Sequence, residues 1–272
     1  MKKFLVASLL AGAMLFNTAS TTMAAPAQDR ETIYQIALLQ SLAMGYFDGS
    51  ITVKELKTHG DTGIGTFEGL DGEMIVLDGV VYRANQNCKI NVVNNSVRVP
   101  FSNVTFFEKD FSVKLRNLID KEAFESALNA QVDKHGINSF YMVKVPGTFA
   151  EIHIRSEQGQ VEPYPTLVEA LKATQKEFTL QNISGTLVGL YCPAFMNSLN
   201  STGWHFHFVS DDKKIGGHVL GLHLESGEAQ FDKTDSFLMN LPKKENFQNL
   251  NFDKDLKEEI RKAEQDSYQG GK

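Results

Sequence analysis

The sequence predicts an α+β fold of mixed and antiparallel β-sheets with a few helices, arranged as a tandem duplication of one α+β unit. Three observations predict it. Short β-like runs are punctuated by turn dipeptides at Asp71-Gly72, Asp78-Gly79 and Asn94-Asn95, and the glycines accept the positive φ that a tight hairpin turn requires. Helical spacing of apolar residues is confined to a few segments. The stretch Gly65-Thr66-Phe67-Glu68-Gly69-Leu70 returns as Gly185-Thr186-Leu187-Val188-Gly189-Leu190, matching at G-T-x-x-G-L at the head of each β-rich half.

Along the chain, Ile33 to Met44 has helical spacing, and Gly45 to Gly49 breaks it. Ile51 to Leu56 reads as a short strand. Thr66-Phe67, Glu73 to Leu77, Val80 to Arg83, Lys89 to Val93, Ser96 to Pro100 and Val104 to Phe107 continue the β pattern. Asp110 to Asp133 turns helical, with apolar residues near every third or fourth position. Ser139 to Val145 and Phe149 to Arg155 return to strands, and Thr166 to Thr174 is helical. Thr186 to Leu190, Trp204 to Val209, Val219 to Leu224 and Ala229 to Asp232 are strands, and Asp253 to Asp266 is a charged helix. The expected organisation is a signal peptide over 1–25, an N-terminal half over 26–155, a C-terminal half over 156–240, and a tail over 241–272. No Pro-rich or Ser-rich linker separates the halves, so they are expected to pack as one body.

The N-terminal reading rests on Lys2 and Lys3, the apolar run Phe4 to Phe16, and the small residues Ala24 and Ala25. Together they have the three-part pattern of a secretory signal, with an apolar run too short to span a bilayer comfortably. Removing those two lysines leaves 25 basic against 33 acidic residues, a formal net charge of −8. Such a chain is a poor match for nucleic acid, whose phosphates select Lys and Arg. No later segment is long and apolar enough to cross a membrane. Export permits a disulfide between Cys88 and Cys192, but two separate buried thiols fit the same count.

The chemistry concentrates in Gly203 to His218, GWHFHFVSDDKKIGGH. A strand alternates its faces, so His205 and His207 point one way and Trp204, Phe206 and Phe208 the other. Asp211 to Gly217 is polar and ends in two glycines. A turn centred between Asp212 and Lys213 places His207 opposite His218, within cross-strand reach. Three converging imidazoles leave one position of a tetrahedral zinc open, which is the arrangement of a catalytic site. The bland alternative is a half-exposed strand with solvent-facing histidines. His59, His135, His153 and His223 lack this spacing and read as surface or core residues.

The chain resembles the secreted acetolactate decarboxylases over nearly its whole mature length. The resemblance is carried by GTFEGLDGEMIVLDG (65–79), F-Y-x-x-x-x-x-G-T-F (140–149), H-I-R (153–155), P-Y-P-T-L-V-E (163–169), GTLVG (185–189) and GWHFHFVSDDKKIGGHVL (203–220). It implies decarboxylation of 2-acetolactate to acetoin and carbon dioxide, with Zn²⁺ held by His205, His207 and His218. It further implies roles for Thr66, Glu73, Arg155 and Glu264, and a homodimer. Glu258 and Glu259 are rivals of Glu264, because the tail is less constrained than the histidine hairpin. In such a reaction the zinc would act as a Lewis acid on the ketone and hydroxyl oxygens while an enediolate forms. Arg155 would hold the departing carboxylate through its planar fork.

Each of these residues has an ordinary reading. Glu73 is a solvent-facing strand residue, Thr66 a β-former, Glu264 part of a salt-bridged helix, and Arg155 a surface partner of Glu151 or Glu157. Three other functions compete, a zinc hydrolase among them. A cupin-like metal oxygenase would use Asp211 beside the H-x-H pair. An exported binding module would hold metal without turnover.

Overall fold

The computed structural model describes residues 30–265, so the expected signal peptide lies outside the described residues. The strands are β1 (Thr32–Ile36), β2 (Ile51–Thr52), β3 (Thr62–Thr66), β4 (Glu73–Leu77), β5 (Val80–Ala84), β6 (Ile90–Val92), β7 (Arg98–Val99), β8 (Ser102–Thr105), β9 (Phe111–Leu118), β10 (Phe140–Ser156), β11 (Lys176–Cys192), β12 (Gly203–Ser210), β13 (Gly216–Thr234) and β14 (Ser236–Asn240). The helices are α1 (Leu39–Ala43), α2 (Val53–Leu56), α3 (Lys121–His135), α4 (Leu167–Thr174), α5 (Glu245–Gln248) and α6 (Lys257–Gln265).

Mixed and antiparallel sheets with a few helices form the fold, as the sequence predicts. One sheet runs β14-β1-β8-β3-β4-β5-β6 and is antiparallel except at its β1–β14 edge. The other runs β10-β11-β12-β13-β9, entirely antiparallel, and β13 also pairs with β10. That extra pairing closes β10, β11, β12 and β13 on themselves. The closed sheet encloses Val143, Val145, Phe149, Phe206, Phe208 and Phe231, against which α3 packs Phe124, Leu128 and Val132. A second cluster joins the sheets through Ile64 and Ile75 on one side and Met142, Val188, Leu190 and Val209 on the other. Phe140 to Val143 of β10 and Leu187 to Leu190 of β11 are buried at every position, and strands buried on both faces lose polar alternation, which is why those stretches read as apolar runs.

The boundary expected between 155 and 156 falls inside β10, and each sheet takes strands from both sides of it. Other expectations shift for local physical reasons. Ile33 to Met44 is not one helix: β1 occupies Thr32–Ile36, buried between β8 and β14, and α1 begins only at Leu39. A short run of buried residues carries no period that separates strand from helix. Only Ile51–Thr52 of the next expected strand is extended. Thr52 caps α2, exchanging hydrogen bonds with Glu55 in a capping box. The helix expected from Asp110 is preceded by β9, whose F-S-V-K-L alternation is a strand pattern. Asp120 then accepts from the Ala123 N–H at 2.7 Å and starts α3. The two runs 139–145 and 149–155 are one strand, β10. The expected helix at Thr166 is α4, opened by a second capping box between Thr166 and Glu169. Cys88 and Cys192 are separate buried thiols, and no disulfide joins them. No helix among the described residues is long and apolar enough to cross a membrane.

Asp232, buried in β13, accepts from the Glu108 N–H at 3.3 Å. Burial first, and then the negative charges of Glu31, Asp110 and Glu108, pushes its carboxyl up to about 7. The folded state therefore holds a proton that the unfolded state releases near pH 4, and stability falls as pH rises from about 4 to 7. Asp232→Asn, which keeps an acceptor without the charge, is expected to stabilise the protein at pH 8 by about 1–2 kcal/mol. At pH 4 it should change little. Thermal melts at the two pH values check this, and an equal effect at both contradicts it.

Candidate metal centre and active site

Strand β12 places Trp204, Phe206 and Phe208 on the core side. Phe206 packs edge-on to Phe124 and stacks on Trp204, and Phe208 meets Phe149 edge-on. His205 and His207 therefore share the other face. The turn after β12 closes with the Ser210 N–H donating to the Ile215 carbonyl at 2.8 Å. His207 then pairs directly with His218 in register, as the spacing predicts. Gly217 lets β13 lie close to β10 at this point, since a Cβ there would sit 2.5 Å from the Arg155 carbonyl oxygen.

The three ligand nitrogens lie within 4.8 Å of one another. His205 Nε2 is 3.1 Å from His207 Nε2 and 3.0 Å from His218 Nδ1. The outer nitrogens set the tautomers. His207 Nδ1 donates to the Met74 carbonyl at 2.7 Å, and His218 Nε2 donates to the Glu264 carbonyl at 2.8 Å. Carbonyls only accept, so His207 Nε2 and His218 Nδ1 face the common point with lone pairs. Burial, reinforced by neighbouring imidazoles and Arg155, holds His205 and His218 well below the usual imidazole range. Burial also lowers His207, against the opposing pull of Glu73 and the Met74 carbonyl. Three neutral imidazole donors, two of them oriented by carbonyls, fit a borderline transition-metal ion.

The remaining expected residues gather around this point. Glu73 opens β4, and its Oε2 lies 3.3 Å from His207 Nε2. Arg155 sits opposite His218 in the β10–β13 pairing. It is buried, so its reading as a surface ion-pair partner does not hold. Its Nη1 donates to Glu73 Oε1 at 2.8 Å and its Nη2 to the Ala263 carbonyl at 2.9 Å. Its buried Nε–H has no protein partner. Thr66 pairs with Glu73 across β3–β4, and its hydroxyl donates to the Gly72 carbonyl at 2.9 Å, which braces that turn.

Glu264 arrives on α6. Ile260 and Ala263 bury one face of that helix against α1 and α4, with Leu39, Leu42, Leu167 and Leu171. Glu264 lies on the same face, four residues beyond Ile260. Its Oε2 is 3.3 Å from His205 Nε2, and burial pushes its carboxyl up to about 7. Glu258 and Glu259 are exposed, and Glu258 pairs with Arg261 at 2.8 Å, so neither rival reaches the site.

One cavity is lined by the three histidines, Thr66, Glu73, Arg155 and Glu264, and by Glu157, which the sequence reading placed at the surface. The alternation of 155 and 157 at the end of β10 puts both on one side, but not which side is buried. Asp211 is exposed in the turn and does not join the imidazoles. Three of the other histidines are engaged elsewhere: His59 stacks on Tyr34, His135 stacks on Phe111, and His153 pairs with Glu177 at 3.0 Å.

Residues 33–254 match the family model described as alpha-acetolactate decarboxylase. The chain belongs to the alpha-acetolactate decarboxylase family. A relative of that name from Methanosarcina mazei is 38% identical over 86% of this chain and 80% of its own length. One from Brevibacillus brevis is 32% identical over 97% of this chain and 99% of its own. The crystal structure of the Bacillus subtilis alpha-acetolactate decarboxylase superposes with a TM-score of 0.83 at 34% identity, covering 86% of this chain and all of that one. Membership makes the protein an enzyme of this class and sets aside the oxygenase, hydrolase and non-enzymatic readings.

Because the Glu264 carbonyl orients His218, docking of α6 and metal affinity are linked. Ile260→Asp, which places a charge in the apolar seam, is expected to weaken zinc binding by 10-fold or more, roughly the effect of losing an outer hydrogen bond to a ligand. Calorimetric titration of the metal-free protein with zinc checks this. An unchanged affinity contradicts the linkage.

Proposed function

We propose that the protein converts 2-acetolactate to acetoin and carbon dioxide with zinc held by His205, His207 and His218. The observation that carries the reading is the convergence of three neutral imidazoles, a buried guanidinium and two carboxyl groups on one cavity, in a chain of this family. Bound there, zinc would supply Lewis acidity at the ketone and hydroxyl oxygens of the substrate.

The chain's own residues account for the rest. Loss of carbon dioxide leaves an electron pair on the former carboxyl-bearing carbon, and the adjacent ketone takes it up as an enediolate. The substrate thus carries its own electron sink. Arg155 holds the leaving carboxylate through the donors that Glu73 and Ala263 do not occupy, including the free Nε–H. Glu73, fixed by Arg155 and adjacent to His207, accepts the hydroxyl proton and gives it back to that oxygen as acetoin forms. Glu264, beside His205, returns a proton to carbon, and solvent replaces it. The apolar wall of Leu39, Leu42, Phe101, Leu167 and Leu171 receives the methyl groups and excludes water.

The decisive assay follows acetoin and carbon dioxide from 2-acetolactate before chelation, after it, and after zinc repletion. Zinc-dependent release of both is expected, and bound zinc without release contradicts the reading. Arg155→Ala is expected to lower turnover about 100-fold or more while zinc stays bound, as for loss of a donor that acts on developing charge. Loss of zinc in that variant counts against the role of Arg155.

Export and a homodimer belong to the same proposal, supported by the N-terminal pattern and by the frequency of two-fold assemblies. Intact-mass measurement of the exported protein is expected to show a chain beginning near Ala25, and light scattering twice the chain mass. An uncleaved monomer contradicts both.

A further inference from the structure

Glu157 is absent from the scheme above, yet it is among the most deeply placed carboxyl groups at the site, 1% exposed. It follows Arg155 by two residues at the end of β10, so both side chains enter the cavity from the same side. Its Oε2 takes a second hydrogen bond from Arg155 Nη1, at 3.3 Å, while Glu73 Oε1 takes the first at 2.8 Å. Sharing that one donor sets the carboxyl groups of Glu73 and Glu157 side by side. Its other oxygen, Oε1, is buried without a protein partner. Glu157 therefore bonds to the group that holds the substrate carboxylate and lies beside the one that takes the hydroxyl proton, and no hydrogen bond or ion pair joins it to the three imidazoles.

We propose that Glu157 is a positioning residue for the decarboxylation, acting as a neutral acid that bridges Glu73 and Arg155. The inference rests on the proposed function and adds a residue to it. The physical logic lies in the local charge. Arg155 already faces one carboxylate in Glu73. A second anion on the same nitrogen would neutralise the guanidinium and weaken its hold on an anionic substrate. A neutral acid orients both neighbours, donating to Glu73 and accepting from Arg155, and leaves the cationic charge for the substrate. Burial first, and then the Glu73 charge, pushes Glu157 well above the usual carboxylate range despite Arg155, which is consistent with that state.

The amide of glutamine reproduces a neutral donor–acceptor pair, whereas leucine fills the volume without either function. Glu157→Gln is expected to keep kcat for 2-acetolactate within about 3-fold of wild type. Glu157→Leu and Glu157→Ala are expected to lose about 30-fold in kcat, the scale of a small misplacement of catalytic groups. Zinc content per chain should be unchanged in all three. Melting curves identify a variant that fails to fold, and if the leucine variant does so, the alanine variant decides. Wild-type kcat in either apolar variant overturns the proposal, because packing alone would then suffice. A glutamine variant as impaired as alanine also overturns it, because an ionised carboxylate would then be required. Wild-type turnover measured alongside separates the two readings. Without it the functional reading fails and this proposal with it, and with it the variants decide on Glu157 alone.

Discussion

His218 pairs with His207 on one side and with Arg155 on the other, and the site depends on that double pairing. It exists because β13 bonds to β12 and β10 together, closing the second sheet. A one-residue slip in either register would turn every side chain of that strand to the opposite face. Phe206 and Phe208 oppose such a slip, since it would bring them out of the core and the imidazoles into it. The hydrophobic interior of the closed sheet thus fixes the geometry of its polar face.

The site also gathers charge that a folded protein would ordinarily avoid. Glu73, Glu157 and Glu264 are buried around one guanidinium and three neutral imidazoles. Buried carboxyl groups without enough partners cost stability. Two features offset that cost here. Arg155, itself held by an α6 carbonyl, donates to Glu73 and Glu157, and a dication bound among the imidazoles would counter the carboxylates. The tail helix therefore serves the site twice, bringing the Glu264 carboxyl and supplying two carbonyls from its last turn. Its anchor is apolar, through Ile260 and Ala263, so a hydrophobic seam that continues into the cavity wall governs the outer hydrogen bond of His218.

Much of the centre was legible in the sequence because its logic is local. The alternation of His205 and His207, and the symmetry of His207 and His218 about a polar turn, need only strand and hairpin rules. Thr66, Glu73, Arg155 and Glu264 came from resemblance, because no local rule joins residues so far apart in the chain. Glu157 was misread because alternation pairs it with Arg155 without saying which face is buried, and that depends on the tail and on β4. The fold class was readable from turn dipeptides and short β runs. The path of β1 was not, since a short strand buried between β8 and β14 has no distinguishing period. Nor was β14, whose parallel partner is β1, about 200 residues earlier. Closure of β13 on β10 is likewise a long-range pairing that no window of sequence contains.

The central claim is that His207 and His218 are oriented from behind, so that a metal would meet His207 through Nε2 and His218 through Nδ1, with His205 Nε2 facing the same point. A crystal structure of the zinc-loaded protein, with anomalous data at the zinc edge, tests it most directly. The expected result is one ion within about 2.0–2.1 Å of those three nitrogens, with the Met74 and Glu264 carbonyls still accepting from the far side. An ion bound to His218 through Nε2, or lying outside the triad, would contradict the account.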